Sequence, residues 1–366
     1  MNDATWSTTT VTLPIQYPCF DDVLLECKFS TVRSRQDVDT SIDFLGRKLS
    51  LPVTNSNMDT IASPALSKVL AEYGTISSIH RFCSIEENVR LYRESVHSGI
   101  KPIVSIGVGD KELERARALH AERADIFMLD VAHAANIAVV EMYNKLVGTF
   151  PNVKFIVGNF GTDREVREFL NNTPNAPHAI CVGIGGGSMC LTRVVTGVGI
   201  PTLASILDCA EICDQFGMKM MVNGGLRNSG DIVKALAAGA DLIMLGSMFA
   251  GTDEASGKLC HMDEMHSGVC LCGSEPYCGK HKEYRGSASA SSYEAQDKVA
   301  TWRTPEGDST WIPVKGPAVN VLNSINGGIR SAYSYLNAFN VNDLRANAKF
   351  NAVTTNTVRE NQAHGK

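Results

Sequence analysis

Eight short apolar runs recur along the chain with helix-like segments between them, and this rhythm limits the available folds more than any other feature. The runs occupy 52–58, 74–80, 103–107, 126–130, 153–158, 179–184, 219–223 and 242–246. They are rich in Val, Ile, Leu and Met, as expected of strands covered on both faces. The intervening segments 63–73, 85–97, 111–122, 136–150, 163–171, 206–216 and 229–238 space their apolar residues like helices. Alternating strands and helices demand a parallel sheet, and eight units are the number that closes into a TIM (β/α)8 barrel. A doubly wound open sheet is the competing architecture, but no GxGxxG opens a helix near the N-terminus. In a barrel the C-terminal strand ends converge on one mouth. His80, Asp130, Asn159, residues 185–193, Asn223 and Gly246 all fall there.

The chain has 366 residues, 44% of them hydrophobic and 20% charged, enough apolar mass for one large core. One barrel domain over 1–366 accounts for this length if 1–50 form an N-terminal arm, 252–316 a flap after the eighth strand, and 351–366 a flexible tail. The 252–316 insertion is rich in Gly, Ser, Cys and charged residues and reads as a loop with little secondary structure. A net charge of -5 gives no general attraction to nucleic acid or anionic membrane. No run approaches the ~20 apolar residues that span a bilayer. The first residues lack a secretory signal, and eleven cysteines, an odd number, suit reduced thiols better than a disulfide framework. A cytoplasmic location is therefore expected.

The most informative stretch is Val182-Gly-Ile-Gly-Gly-Gly-Ser-Met-Cys190-Leu-Thr192-Arg193. A buried strand empties into a glycine loop that leaves room for a ligand, offers backbone amides to an anion and ends in a cysteine. With Val194-Val-Thr-Gly-Val-Gly199 behind it, this stretch resembles the active-site loop of the IMP dehydrogenase and GMP reductase family. The resemblance continues in order through Phe20-Asp-Asp-Val-Leu-Leu25, Asn57-Met-Asp-Thr60, Asp130-Val-Ala-His133, Gly158-Asn159, Gly224-Gly225, Met244-Leu-Gly-Ser-Met248, Tyr284-Arg-Gly286 and Gly327-Gly-Ile-Arg330.

The resemblance implies roles for individual residues. Cys190 would add to C2 of a purine, while Thr192 and Glu306, the latter in Arg303-Thr-Pro-Glu-Gly307, would relay protons at that carbon. Gly186, Gly187 and Ser188 would hold the nucleotide phosphate, helped by Gly224, Gly225, Gly246 and Ser247. Ser56 and Met58 would lie against the purine, and Tyr284, Gly286, Ser287 and Arg303 would face the nucleotide from the flap. Asn159 would border both substrate and nicotinamide; Asp130, Ala132 and His133 would line the cofactor side. Potassium would sit among carbonyls of Gly185, Gly187 and Cys190 and the Asn326-Gly-Gly328 end, which reads as the start of the last helix. Family barrels assemble as homotetramers.

Several positions depart from the family pattern. Asn223 stands where an aspartate would accept hydrogen bonds from both ribose hydroxyls; an amide offers one acceptor and one donor group. A shift toward 2′-deoxynucleotides is expected. Cys181 replaces a basic residue, Gly186 a proline or serine, and Ser287-Ala-Ser289 a Met-Ser-Ser or Met-Gly-Ser. No Arg-Tyr pair of the dehydrogenase type lies between Ser287 and Pro305, and no regulatory module interrupts the barrel after its second strand. The expected activity is NADPH-dependent reductive deamination of a purine nucleotide, GMP or dGMP, to its hypoxanthine counterpart and ammonia. NAD-dependent oxidation of IMP and a non-catalytic nucleotide-binding role are the alternatives. Cys260, His261, Cys270, Cys272, Cys278 and His281 are zinc-type donors without the usual paired spacing.

Overall fold

The computed structural model describes residues 17–261, 279–295, 301–302, 304–354 and 356–361. Strand β1 (Val23–Leu25) and a hairpin of β2 (Ile42–Phe44) and β3 (Arg47–Leu49) precede the barrel. The barrel strands are β4 (Val53–Asn55), β5 (Ser78–Ile79), β6 (Ile103–Ile106), β7 (Ile126–Asp130), β8 (Lys154–Phe160), β9 (Ala179–Val182), β10 (Lys219–Asn223) and β11 (Leu242–Leu245). They are parallel and paired in the order β4-β11-β10-β9-β8-β7-β6-β5. Helices α1 (Pro64–Glu72), α2 (Ile85–Ser95), α3 (Asp110–Ala121), α4 (Ile137–Thr149) and α5 (Asp163–Leu170) alternate with the strands. The short α6 (Thr192–Thr196) lies in the loop after β9, and α7 (Thr202–Phe216) and α8 (Ser229–Ala237) complete the set. This is the TIM barrel that the eight apolar runs imply.

Side chains close the seam between β4 and β5. The Asn55 amide accepts the Ser78 N–H at 2.9 Å and donates to the Ser78 carbonyl at 2.8 Å, supplying a ladder rung that the backbones do not make. Ile103, Ile126, Met128, Ile156, Cys181, Met221 and Leu242 fill the lumen, and Phe44 and Leu49 of the β2–β3 hairpin join the same cluster and plug its N-terminal end.

Five of the barrel helices start at side-chain caps. Ser63, Ser84, Asn136, Thr162 and Asn228 each accept a first-turn amide, the expected use of these residues at the ends of short strand-to-helix turns. Helix α7 instead starts directly after Pro201 without a side-chain cap, earlier than its apolar spacing indicates.

Three expectations need correction. Asn326 and Gly327 lie within the helix Ala318–Tyr335, not at its start. Gly328 is tolerated there because a Cβ would stand 2.2 Å from the Ser229 hydroxyl of α8, so the glycine permits close helix packing. The insertion is not simply a loop: β12 (Leu259–His261), β13 (Lys280–Arg285) and β14 (Ser309–Pro313) form an antiparallel sheet. Its central strand, Lys-His-Lys-Glu-Tyr-Arg, hides its alternation because one of its two buried side chains is Lys282, whose ammonium donates to the Thr252, Asp253 and Ala255 carbonyls. Finally, Asn351 begins no tail, since β15 (Phe350–Ala352) pairs with β1, Asn351 opposite Leu24. Among the described residues no helix is long and apolar enough to cross a membrane.

Candidate active site

The strand ends open into a cavity of about 740 Å³. The loop after β9 can reach into it only because it is glycine-rich. Gly183 has φ +131°, and a Cβ there would lie 2.0 Å from the Asn223 carbonyl oxygen. At Gly186 a Cβ would meet the Thr202 hydroxyl at 2.4 Å.

Cys190 is held between the two ends of the flap. The Leu191 N–H donates to the Glu306 carbonyl at 2.7 Å and the Asp308 N–H to the Met189 carbonyl at 2.9 Å. On its other edge the same segment is tied to the Tyr284–Ser289 side, with Glu306 N–H donating to Ala288 O at 3.0 Å and Gly286 N–H to Asp308 O at 2.8 Å. Within this frame the Cys190 thiol donates to Thr192 Oγ1 at 3.1 Å, and the Thr192 hydroxyl donates to Glu306 Oε2 at 2.8 Å. Thiol, hydroxyl and carboxylate thus form a line whose terminal acceptor is Glu306. Such a line can take a proton from sulfur and return one to a group bound nearby.

The glycine loop meets a second set of donors. Ser188 and Tyr284 share a hydroxyl–hydroxyl bond of 2.9 Å, and burial raises the Tyr284 pKa, keeping the phenol protonated. Gly224 and Gly225 after β10 and Gly246 and Ser247 after β11 complete this end of the cavity. Asn223, at the end of β10, also lines it.

Ser56 and Met58 line the cavity beside Gly246, within 3.8 Å of where a Cβ on it would stand, and Asp130, Ala132 and Asn159 belong to the same lining. Burial raises the Asp130 pKa, opposed by the charge of Arg81 and a hydrogen bond from Asn57. Asn159 is 8% exposed; its amide donates to the Val131 carbonyl at 3.1 Å, while its Oδ1 is buried without a partner. Arg81 also lines the cavity beside Asp130, donating to the Asp130 carbonyl at 3.2 Å, with its Nε buried and unpartnered. Sequence reasoning passed over Arg81 and Thr202, although one follows the strand-end His80 and the other opens a helix after a proline.

Not every expected residue reaches the cavity. His133 points outward, with Nε2 3.8 Å from Glu165 Oε1. Gly286 and Ser287 line the cavity, but the Ser289 hydroxyl accepts the Ser292 N–H at 3.2 Å and is 1% exposed. Arg303 lies outside the described residues. Of the carbonyls expected around potassium, those of 326–328 are in a helix interior, leaving Gly185, Gly187 and Cys190; the Gly187 carbonyl accepts the Cys190 N–H at 3.0 Å. Cys181 faces the lumen against Gly158, and burial raises its thiol pKa, aided by the Asp130 charge. Cys260 pairs with His281 across β12 and β13, whereas Cys270, Cys272 and Cys278 fall outside the described residues. Among the described residues no three His, Cys, Asp or Glu side chains gather as a metal site.

Comparison with known proteins identifies the family. Residues 18–364 match the family model described as IMP dehydrogenase / GMP reductase domain. The chain is 31% identical over 359 residues to the GMP reductase of Aliivibrio salmonicida (strain LFI1238), covering 95% of this chain and 97% of that one. To the GMP reductase of Ascaris suum it is 30% identical over 350 residues, 92% and 93% of the two chains. To the inosine-5′-monophosphate dehydrogenase of Aquifex aeolicus (strain VF5) it is 35% identical over 269 residues, 71% of this chain and 51% of that protein.

Proposed function

The chain belongs to the IMP dehydrogenase / GMP reductase domain family, and on that premise we propose that it carries out NADPH-dependent reductive deamination of GMP or dGMP through an adduct on Cys190. The observation that carries this reading is the Cys190–Thr192–Glu306 line at the cavity wall.

As the sulfur bonds to purine C2, its proton passes through Thr192 to Glu306. The same relay returns that proton to the 2-amino group, which leaves as ammonia with its C2–N bond broken and makes C2 a thioimidate carbon. A reduced nicotinamide bound there would supply the hydride that this carbon needs before the C2–S bond can break to leave Cys190 as thiolate and free the hypoxanthine nucleotide. The unpartnered Asn159 Oδ1 and Arg81 Nε are one acceptor and one donor, which fits them to the amide of a nicotinamide. Ser188, Tyr284, Gly225 and Ser247 would orient the phosphate, and Ser56 and Met58 the base. Potassium at the Gly185, Gly187 and Cys190 carbonyls, a homotetramer and a cytoplasmic location belong to the same proposal.

The test is to incubate the protein with GMP, dGMP or IMP and each nicotinamide cofactor while following nicotinamide absorbance and nucleotide products. Consumption of NADPH with a guanine nucleotide is expected. NADH formed from IMP would overturn the reading in favour of the dehydrogenase, and binding without turnover would favour a non-catalytic relative.

A further inference from the structure

Pro201 brings no side-chain cap to α7 and no N–H of its own, yet the 15-residue helix starts in a buried position at the barrel mouth. Its first three residues, Thr202, Leu203 and Ala204, are 4%, 0% and 3% exposed. First-turn amides have no acceptor within their own helix, so this terminus presents donors toward the loops in front of it.

A second observation comes from the Thr202 side chain. Its Oγ1 is buried and has no hydrogen-bond partner. It lies 2.4 Å from the position of a Cβ on Gly186 and 3.0 Å from that of one on Gly225. The hydroxyl therefore faces the space between the glycine loops that follow β9 and β10, both of which line the cavity together with Thr202 itself. Helix terminus, glycine-loop amides and hydroxyl are all donors. The missing partner is an acceptor with several oxygens and negative charge.

We propose that Thr202, with the N-terminus of α7, binds the phosphate of the nucleotide directly, its hydroxyl donating to a phosphate oxygen. The proposal rests on the functional reading above only in naming a nucleotide as the carrier of that phosphate. Gly186 is then a steric requirement for the contact, since any side chain there would displace the hydroxyl.

Thr202→Val keeps the shape and removes the donor, Thr202→Ser keeps the donor, and Thr202→Ala is a second removal should the valine disturb folding. Binding of inorganic phosphate, GMP and guanosine is measured by calorimetry on each, with melting temperature recorded without ligand. The valine variant is expected to bind phosphate and GMP about tenfold or more weakly, with guanosine unchanged. The serine variant should stay within about threefold of wild type, and the unliganded valine variant should melt no lower, because the hydroxyl it loses is unpartnered. Unchanged GMP and phosphate binding in both Val and Ala variants, an equal loss for guanosine, or a wild type that binds neither phosphate nor GMP would overturn the proposal. Phosphate binding that depends on Thr202 in a protein indifferent to GMP would leave the contact standing and remove the nucleotide reading instead.

Discussion

Glu306→Gln separates proton transfer from everything else the flap does. The backbone of Glu306 holds the cysteine loop through its N–H to Ala288 and its carbonyl to Leu191, and neither bond involves the side chain. The side chain accepts the Thr192 hydroxyl at 2.8 Å. Glutamine preserves that shape and can still accept the hydrogen bond, but its amide cannot take up the proton. General acid–base catalysis is worth ~10²–10⁴ in rate, or about 2.7–5.4 kcal/mol of barrier. Because the relay acts on the reacting groups, the loss is expected in kcat, with the KM for the guanine nucleotide within about threefold of wild type. Thr192→Ala should behave alike, and the double variant should be little worse than the weaker single, since one relay is broken once. Steady-state NADPH oxidation over a range of nucleotide concentrations measures this. A Glu306→Gln enzyme retaining more than about a tenth of wild-type kcat, or one whose loss lies wholly in KM, would refute the relay.

Two further outcomes are expected. With an amide at Asn223, the ribose diol should lose a hydrogen bond and keep one donor poorly paired, at a cost of about 1–3 kcal/mol, so dGMP should compete well with GMP and Asn223→Asp should move the kcat/KM ratio toward GMP. Ser289 cannot compensate because it caps a helix, which leaves Ser287 as the flap serine facing the cavity. A wild-type preference for GMP above about tenfold, ~1.4 kcal/mol, would contradict the sugar argument. His80 should make folding sensitive to mild acid. Burial lowers its pKa from 6.5, with Asp59 and Glu87 opposing and Arg115 and Arg285 reinforcing, and its Nδ1 accepts the Phe82 N–H at 3.2 Å, which requires a neutral ring. The unfolded chain binds a proton near pH 6.5 that the folded ring refuses, so stability should be fully present above that pH and fall below it until the folded pKa is passed. Denaturant titrations at several pH values should show a shallower acid loss for His80→Asn; identical slopes would count against this role.

What the sequence disclosed follows the physics of each element. The barrel strands are buried on both faces and so appear as continuous apolar runs, and side-chain caps mark most of the helix starts between them. The flap sheet was illegible because its middle strand is built from Lys, His, Glu and Arg, and its burial depends on a lysine ammonium finding three carbonyls from a distant loop. The long C-terminal helix hid its true start because two adjacent glycines normally mark a break, whereas here Gly328 serves close packing on α8. At the site, Cys190, Thr192 and Glu306 could be named in advance because they stand in stretches that resemble the family's motifs; by type alone a cysteine, a threonine and a turn glutamate would not have been singled out. Arg81 and Thr202 could not, since their interest lies in one buried polar atom each, Arg81 Nε and Thr202 Oγ1, that has no partner, a property of the folded neighbourhood.

The most direct test of the central claim is the mass of the intact protein after incubation with GMP and no cofactor, together with the ammonia released. A covalent route predicts a species heavier than the free protein by GMP less ammonia, carried on Cys190, with one ammonia liberated per adduct. Cys190→Ala should form none. Ammonia released without any adduct, or an adduct that survives in Cys190→Ala, would contradict the account.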